Sequence, residues 1–273
     1  MKNKKSLGQH WLKNRAILDE IATLAAEGSA YESSDITEVE RQKQLGTAIE
    51  KEVADTVVEI GPGLGTLTSS LLKRFSKVIA VEYDEKLAQN LPKSFPGKNL
   101  EVVNADILQY DFGNIEAPYA VAGNIPYYIT SPIIEKLITL DNVPVRIVLL
   151  IQKEVAERIV ADKETILSLV VKNRADAELG PVVVRQEFTP PPKVDSQVII
   201  LTPHKAVVQP EVFGLIRRGF AAPRKKLIHN LAGLKSKEEL ASIFEKIGIS
   251  VDARPGDLRL ADWQRLYEDL AQK

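Results

Sequence analysis

The chain has 273 residues, room for two domains or for one large domain with an appendage. Its 44% apolar and 27% charged residues are ordinary globular usage and exclude a wholly disordered, collagen-like or coiled-coil protein. The absence of cysteine excludes disulfides, thiolate metal sites and a cysteine nucleophile, and three histidines far apart (His10, His204, His229) argue against a multi-histidine metal centre. Net charge is −1 but unevenly spread: residues 1–15 carry five basic and no acidic side chains, 19–59 carry eleven acidic and three basic, and 204–273 carry thirteen basic and nine acidic. Basic ends on a neutral protein can still attract a polyanion, although solvated surface accounts for them equally well.

Along the chain, the basic start MKNKKSLGQHWLKNR has no apolar stretch behind it and is not a secretory signal. Residues 28–54 are polar and acidic, with weak helical periodicity in 36–53. Short apolar, β-branched runs then recur at Thr56–Ile60, Val78–Val81, Leu100–Val103, Tyr119–Ala122 and Val145–Ile151, each reading as a buried strand. Helical patterns separate them: Thr66–Phe75, Lys86–Leu91, Ile133–Leu140 and Lys153–Val160. This alternation predicts an α/β fold, a parallel Rossmann-like sheet with helices on both faces. Val182–Val184 and Gln197–Leu201 are expected as edge strands. Beyond Thr202-Pro203-His204 only helices are expected: Glu211–Ala222, Arg224–Leu231 after the break at Pro223, a capping box at Ser236–Glu239 opening a helix that stops at Gly248, and Ala261–Ala271. The natural division is an α/β domain over 1–203, with 28–54 as an insertion, and a small all-helical domain over 204–273. No run approaches the ~18 apolar residues of a membrane span, so a cytoplasmic protein with no membrane partner is expected.

Glu59-Ile60-Gly61-Pro62-Gly63-Leu64-Gly65-Thr66 reads as a strand end, a glycine turn and a helix start. Glycines let the backbone turn sharply and come close to a ligand, although a plain tight turn uses them too. The spacing is G-x-G-x-G, without the third glycine of dinucleotide enzymes and without the Lys-Ser/Thr of a phosphate loop. Glu82 closes the next strand about 20 residues on, where a carboxylate can take both ribose hydroxyls. Asp106 closes the third and can accept from an adenine amine. Singly, each is also a common turn former. As an ordered set at the carboxyl ends of consecutive strands they point to a nucleoside cofactor without a pyrophosphate, S-adenosylmethionine.

Gly123-Asn124-Ile125-Pro126-Tyr127-Tyr128 follows the fourth strand. An adenine N6 lone pair is delocalised into the ring and is a poor nucleophile. The Asn124 side-chain oxygen and a backbone carbonyl, that of Ile125, can each accept one N6–H, favouring a pyramidal nitrogen aimed at a sulfonium methyl. Pro126 stiffens the turn, and Tyr127 would stack on the purine face, its hydroxyl not needed. Downstream, Glu187-Phe188-Thr189-Pro190-Pro191-Pro192-Lys193-Val194-Asp195-Ser196 reads as a rigid loop holding Phe188 against the other face of a flipped base, or as a proline-rich edge. Arg217-Arg218 and Arg224-Lys225-Lys226 are candidate RNA-phosphate contacts, the last three expected in a helix first turn where the macrodipole disfavours cations.

These strings, in this order, resemble the small-subunit ribosomal RNA adenine N6,N6-dimethyltransferase family over residues 6–24 and 55–265. Ser-Leu-Gly-Gln-His10-Trp-Leu12 is similar to its N-terminal cofactor segment, which normally ends Phe-Leu, and Gln152–Arg158 and the Phe-Thr-Pro-Pro-Pro-Lys-Val-Asp-Ser string match closely. The resemblance implies that His10, Leu12, Gly61, Glu82, Asp106 and Asn124 bind S-adenosylmethionine; Gly63 of the glycine turn is expected beside them, and no metal is expected. It implies a monomer that dimethylates two adjacent adenines near the 3′ end of small-subunit ribosomal RNA within the immature small subunit. Three departures stand out: the 28–54 insertion, a short Asp162-Lys163-Glu164-Thr165 loop after Ala161 where the family has a longer one, and Phe220–Lys226 in place of a Gln-Arg-Arg-Lys arrangement. A large-subunit RNA adenine methyltransferase of the antibiotic-resistance type shares this core, but Arg254-Pro-Gly-Asp-Leu258 favours the small-subunit family. An idle RNA-binding assembly factor is a further alternative, against which the intact Asn124–Tyr127 string weighs.

Overall fold

The computed structural model describes residues 10–27 and 54–271. The readings of residues 28–53 as an insertion with helical periodicity lie outside the described residues. The chain divides into two compact units: residues 1–153 with 180–203, and 154–179 with 204–273. The chain leaves the first unit for good after Pro203, and residues 154–179, read from sequence with the α/β domain, fall in the second.

The first unit starts with a two-residue strand β1 (Trp11–Leu12) and helix α1 (Arg15–Ala26). The Asn14 side chain caps α1 by accepting from the amides of Ala16 and Ile17 at 3.1 and 3.3 Å. Leu18, Ile21, Ala22 and Ala25, at helical spacing, bury one face of it. Then come β2 (Thr56–Ile60), α2 (Thr68–Leu71), β3 (Lys77–Glu82), α3 (Glu85–Asn90), β4 (Leu100–Asn104), β5 (Tyr119–Asn124), α4 (Thr130–Thr139) and β6 (Arg146–Gln152). The predicted strands all form. The helix expected over Thr66–Phe75 narrows to four α-helical residues, because Ser70, Lys73 and Arg74 donate three residues back instead of four.

Chain order continues with α5 (Lys153–Val160), α6 (Ile166–Arg174), β7 (Ala175–Val183), β8 (Phe188–Thr189) and β9 (Ser196–Pro203). The main sheet has seven strands in the order β4-β3-β2-β5-β6-β9-β7, and β1 pairs antiparallel with β8 in a second small sheet. Strands β4, β3, β2, β5 and β6 are parallel and β9 runs antiparallel to β6. β9 was expected at an edge. It lies one place in, its Val198–Leu201 stretch fully apolar and almost wholly buried, as a strand covered on both faces requires. The strand order reverses between β2 and β5, which opens a crevice at their carboxyl ends.

The second unit holds α6, α7 (Val212–Gly219), α8 (Leu227–Asn230), α9 (Lys237–Lys246) and α10 (Leu260–Ala271) around one apolar core. The capping box at Ser236 and Glu239 forms as predicted, and Gly248 follows α9 with φ +75°. Arg224 and Lys225 precede α8, which begins at Leu227 and not at Arg224, so neither lies in a helix first turn and the macrodipole argument for them fails. The short loop after Ala161 is closed from within: Glu164, buried, accepts from Lys172 Nζ at 2.8 Å and Ser168 Oγ at 2.6 Å, and its amide donates to the Gly256 carbonyl at 2.8 Å.

Helix α7 turns Val212, Phe213, Leu215, Ile216 and Gly219 into this core. A Cβ on Gly219 would overlap the ring of Trp263, which is fully buried, and lie 3.0 Å from Leu227 Cδ1. Gly219→Ala is therefore expected to destabilise the second unit by ~1–3 kcal/mol, overpacking exceeding the gain in helix propensity. Urea denaturation in a Trp11→Phe background leaves Trp263 as the sole indole to report it. Unchanged stability would mean that the Trp263 ring moves freely.

Candidate active site

A cavity of about 330 Å³ lies where β2, β3 and β5 end, lined from the glycine turn, Glu82, Asp106 and residues 124–129. Pairing sets this up. Ile60 is aligned with Val81 on one side and Gly123 on the other, so Gly61, Glu82 and Asn124 emerge side by side. Gly61 and Gly63 have φ of +64° and +59°, which favours glycine, and around Gly61 a Cβ would meet nothing within 4 Å. At Gly63 a Cβ would lie 3.1 Å from the indole Nε1 of Trp11. The departure from the usual Phe thus packs its larger ring against the turn.

Glu82 is buried, and its two oxygens accept from the Gly63 amide at 3.0 Å and the Asp84 amide at 2.8 Å. Each oxygen keeps a lone pair for a ribose hydroxyl. Burial pushes its carboxyl above the usual range, against the pull of these amides. Gly63 was expected among the cofactor contacts; its N–H is engaged by Glu82, so its action is to aim that carboxylate. Asp106 accepts from the Leu108 amide through Oδ1 at 2.9 Å. Lys136 pins the segment that follows by donating to the carbonyls of Leu108 and Tyr110 at 2.9 and 2.7 Å.

At the other end, Asn124 Nδ2 donates to the His10 carbonyl at 2.9 Å. A carbonyl only accepts, so this bond fixes the amide's orientation and leaves Oδ1 to accept from something else. The His10 Nδ1 bonds the Pro190 carbonyl at 2.7 Å, which makes Nδ1 the protonated nitrogen. The His10 ring stacks on Tyr127, centroids 6.0 Å apart and planes 20° apart. Ile125 is buried and Pro126 opens the short 3-10 turn Tyr127–Ile129 with extended ψ. The Tyr127 hydroxyl, assigned no part from sequence, is 2.7 Å from Ser196 Oγ and fixes the ring.

Two expected site residues face elsewhere. Leu12 and Phe188 are directly paired in the β1–β8 ladder and buried at 1% and 2% exposure in the core of the first unit. Successive strand residues point to opposite faces, so Trp11 lines the cavity while the Leu12 side chain packs into the core. Phe188 is not among the residues that line the cavity. The basic candidates Arg217, Arg218, Arg224, Lys225 and Lys226 are all exposed in the second unit. Arg218 donates to the Ala232 carbonyl at 3.1 Å and Lys226 pairs with Asp252, whereas Arg217, Arg224 and Lys225 make no side-chain hydrogen bond or ion pair among the described residues.

Sequence reading missed Glu59. It lies on β2, 1% exposed, and lines the cavity. Its signal was a carboxylate inside an otherwise apolar strand. Its Oε2 and the Thr68 hydroxyl have no hydrogen-bond partner among the described residues. Burial pushes the Glu59 carboxyl up to about 8, with Thr68 opposing and the charge of Glu82 adding. Among the described residues no group of three or more His, Cys, Asp or Glu side chains could hold a metal ion, and no helix is long and apolar enough to cross a membrane.

The family model for ribosomal RNA adenine dimethylase matches residues 1–272. A ribosomal RNA small subunit methyltransferase A from Picosynechococcus sp. is 37% identical over 292 residues, covering 99% of this chain and 98% of its own. Among solved structures, a dimethyladenosine transferase from Plasmodium falciparum superposes with TM-score 0.73 at 28% identity, over 94% of this chain and 96% of that one. The 23S rRNA methyltransferase ErmE superposes at 0.70 with 24% identity, over 96% and 100%, a likeness of fold.

The ionisation of Glu59 has a measurable consequence. The folded chain keeps its proton up to about pH 8, whereas the unfolded chain releases it near 4.5. Between these values the folded state binds more protons, so stability falls as pH rises, and the loss levels off above about 8. Glu59→Gln should therefore shrink the difference between denaturation midpoints taken at about pH 5 and about pH 8. An unchanged difference would mean that Glu59 is already ionised in the folded protein.

Proposed function

We propose that this chain, which belongs to the ribosomal RNA adenine dimethylase family, transfers methyl groups from S-adenosylmethionine to N6 of two adjacent adenines near the 3′ end of small-subunit ribosomal RNA. It would do so as a cytoplasmic monomer acting on the immature small subunit. The observation that carries the reading is Asn124: its amide nitrogen is committed to the His10 carbonyl, and its oxygen is left at the cavity beside Tyr127.

The residues present fit the cofactor. Glu82 has lone pairs for two ribose hydroxyls, Asp106 Oδ2 can take an adenine amine, and Gly61 leaves room where a side chain would project. Bound S-adenosylmethionine supplies an electrophilic sulfonium methyl. In the first transfer Asn124 Oδ1 and the Ile125 carbonyl accept the two N6–H groups of the target base, and in the second one of them accepts the single N–H that remains. They hold the nitrogen pyramidal, with its lone pair no longer spread into the ring. Pro126 restricts the turn, and Tyr127, braced by His10 and Ser196, offers a fixed ring face for the purine. No general base is required, because the nitrogen becomes acidic once it carries the extra methyl and loses its proton to water.

Asn124→Ala should slow single-turnover methyl transfer into unmethylated small subunits by ~10²-fold or more, the size of one preorganised hydrogen bond to the reacting group. RNA affinity should stay near parental, because the change affects the hold on one amine alone. Transfer at the parental rate would remove Asn124 from the chemistry.

The free cations Arg217, Arg224 and Lys225 are read as phosphate-binding side chains. Replacing all three by Gln should weaken RNA binding and flatten the dependence of log affinity on log salt by ~0.7–0.9 for each phosphate no longer neutralised. S-adenosylmethionine affinity, measured by calorimetry, should not move. A parental salt slope would return these residues to solvated surface.

A further inference from the structure

Tyr128 is an aromatic ring without an occupation. It lines the same cavity as Asn124 and Tyr127, yet it is 63% exposed. Among the described residues it makes no side-chain hydrogen bond and no ring contact. Its neighbour Tyr127 is tethered on both counts, by Ser196 and by His10. The two lie consecutively in the 3-10 turn Tyr127–Ile129, closed by the Ile129 amide on the Pro126 carbonyl at 3.2 Å and followed directly by α4. Successive side chains on such a turn diverge by about 120°. The ring of Tyr128 therefore cannot share the slot Tyr127 provides, and its exposure places it on the lip. The cavity has one other large exposed aromatic, Tyr83, adjacent in sequence to Glu82 and so at the cofactor end. Tyr128 alone stands at the acceptor end.

We infer that Tyr128 is a positioning residue that stacks on the base flanking the target adenine. This rests on the proposed RNA adenine methyl transfer. A target base that enters the cavity leaves its neighbour in the strand without a stacking partner. An exposed ring at the mouth replaces that missing face, and stacking of this kind is tolerant of base identity because every base has a π-face. Tyr128 thereby lowers the cost of drawing the target out of the strand, while Asn124 and Tyr127 act on the target itself. The role predicts an effect on RNA engagement and none on the methyl-transfer step.

The test is single-turnover methyl transfer by the full chain into small ribosomal subunits lacking these methyls, with enzyme concentration varied. Tyr128→Ala is expected to raise the half-saturating concentration roughly tenfold, as removal of one base–aromatic stack would. The saturating rate and S-adenosylmethionine affinity by calorimetry should be unchanged. Tyr128→Phe should restore the parental half-saturation, and Tyr128→Leu, which keeps apolar bulk without a π-face, should not. The melting temperature of each variant checks that this exposed position leaves the fold intact. Parental half-saturation in Tyr128→Ala would overturn the inference, as would rescue by Leu as complete as by Phe. A parental protein that methylates no subunit RNA would instead overturn the functional reading, a separate and distinguishable failure.

Discussion

Gly123 lies beside Ile60 in the parallel pairing of β2 with β5, so close that a Cβ on it would come within 2.9 Å of the Ile60 carbonyl oxygen. This approach is where the sheet reverses its strand order, and the cavity depends on it. With β2 and β5 side by side and β3 on the far edge of β2, three chain ends arrive together at one sheet edge. The glycine turn, the Glu82 carboxylate and the Asn124 string thus meet at the ends of paired strands. A bulkier residue at 123 would push β5 away from β2, separating the Asn124 end of the cavity from the glycine turn.

The second constraint is local and polar. An asparagine oxygen can select for an amine only if the amide cannot rotate, and a free side chain would rotate. The His10 carbonyl prevents it, and His10 is in turn held by Pro190 and by the ring of Tyr127. The short ladder between Trp11–Leu12 and Phe188–Thr189 anchors this arrangement, its Leu12 and Phe188 buried in the core beneath. His10 and the proline string, 180 residues apart in sequence, thus form one bracket around the Asn124 end of the cavity.

Much of this was legible in the sequence, and the gaps have physical reasons. Five apolar runs gave five strands because parallel strands covered on both faces cannot carry polar residues, a composition visible without coordinates. The order of the cavity's residues along the chain was legible for the same reason: Gly61 follows β2, Glu82 closes β3 and Asn124 closes β5. What periodicity could not give was direction. Phe188 and Leu12 looked available to ligands because their neighbours in sequence are, but a strand sends alternate residues to opposite faces, and the face is decided by long-range pairing. Helices α1 and α6 carry start signals with no acidic residue in the first turn to mark them, Asn14 alone for α1 and a Thr165–Ser168 capping box for α6. The separation of residues 154–179 from the sheet unit was likewise invisible, because α5 follows β6 without a break.

Glu59 and Glu82 show how far the site departs from what stability alone would choose. Desolvation raises the cost of ionising both carboxyls; the charge of Glu82 adds to it at Glu59, and that of Asp84 adds to it at Glu82. Glu82 recovers part of that cost from two backbone amides, and its remaining lone pairs face the cavity. Glu59 has no such amide pair, and it resolves the conflict by remaining protonated near neutrality. Both carboxyls line the cavity, so burial raises the cost of negative charge at two points of its wall. The polarity of the cavity is thus set by burial depth as much as by residue type.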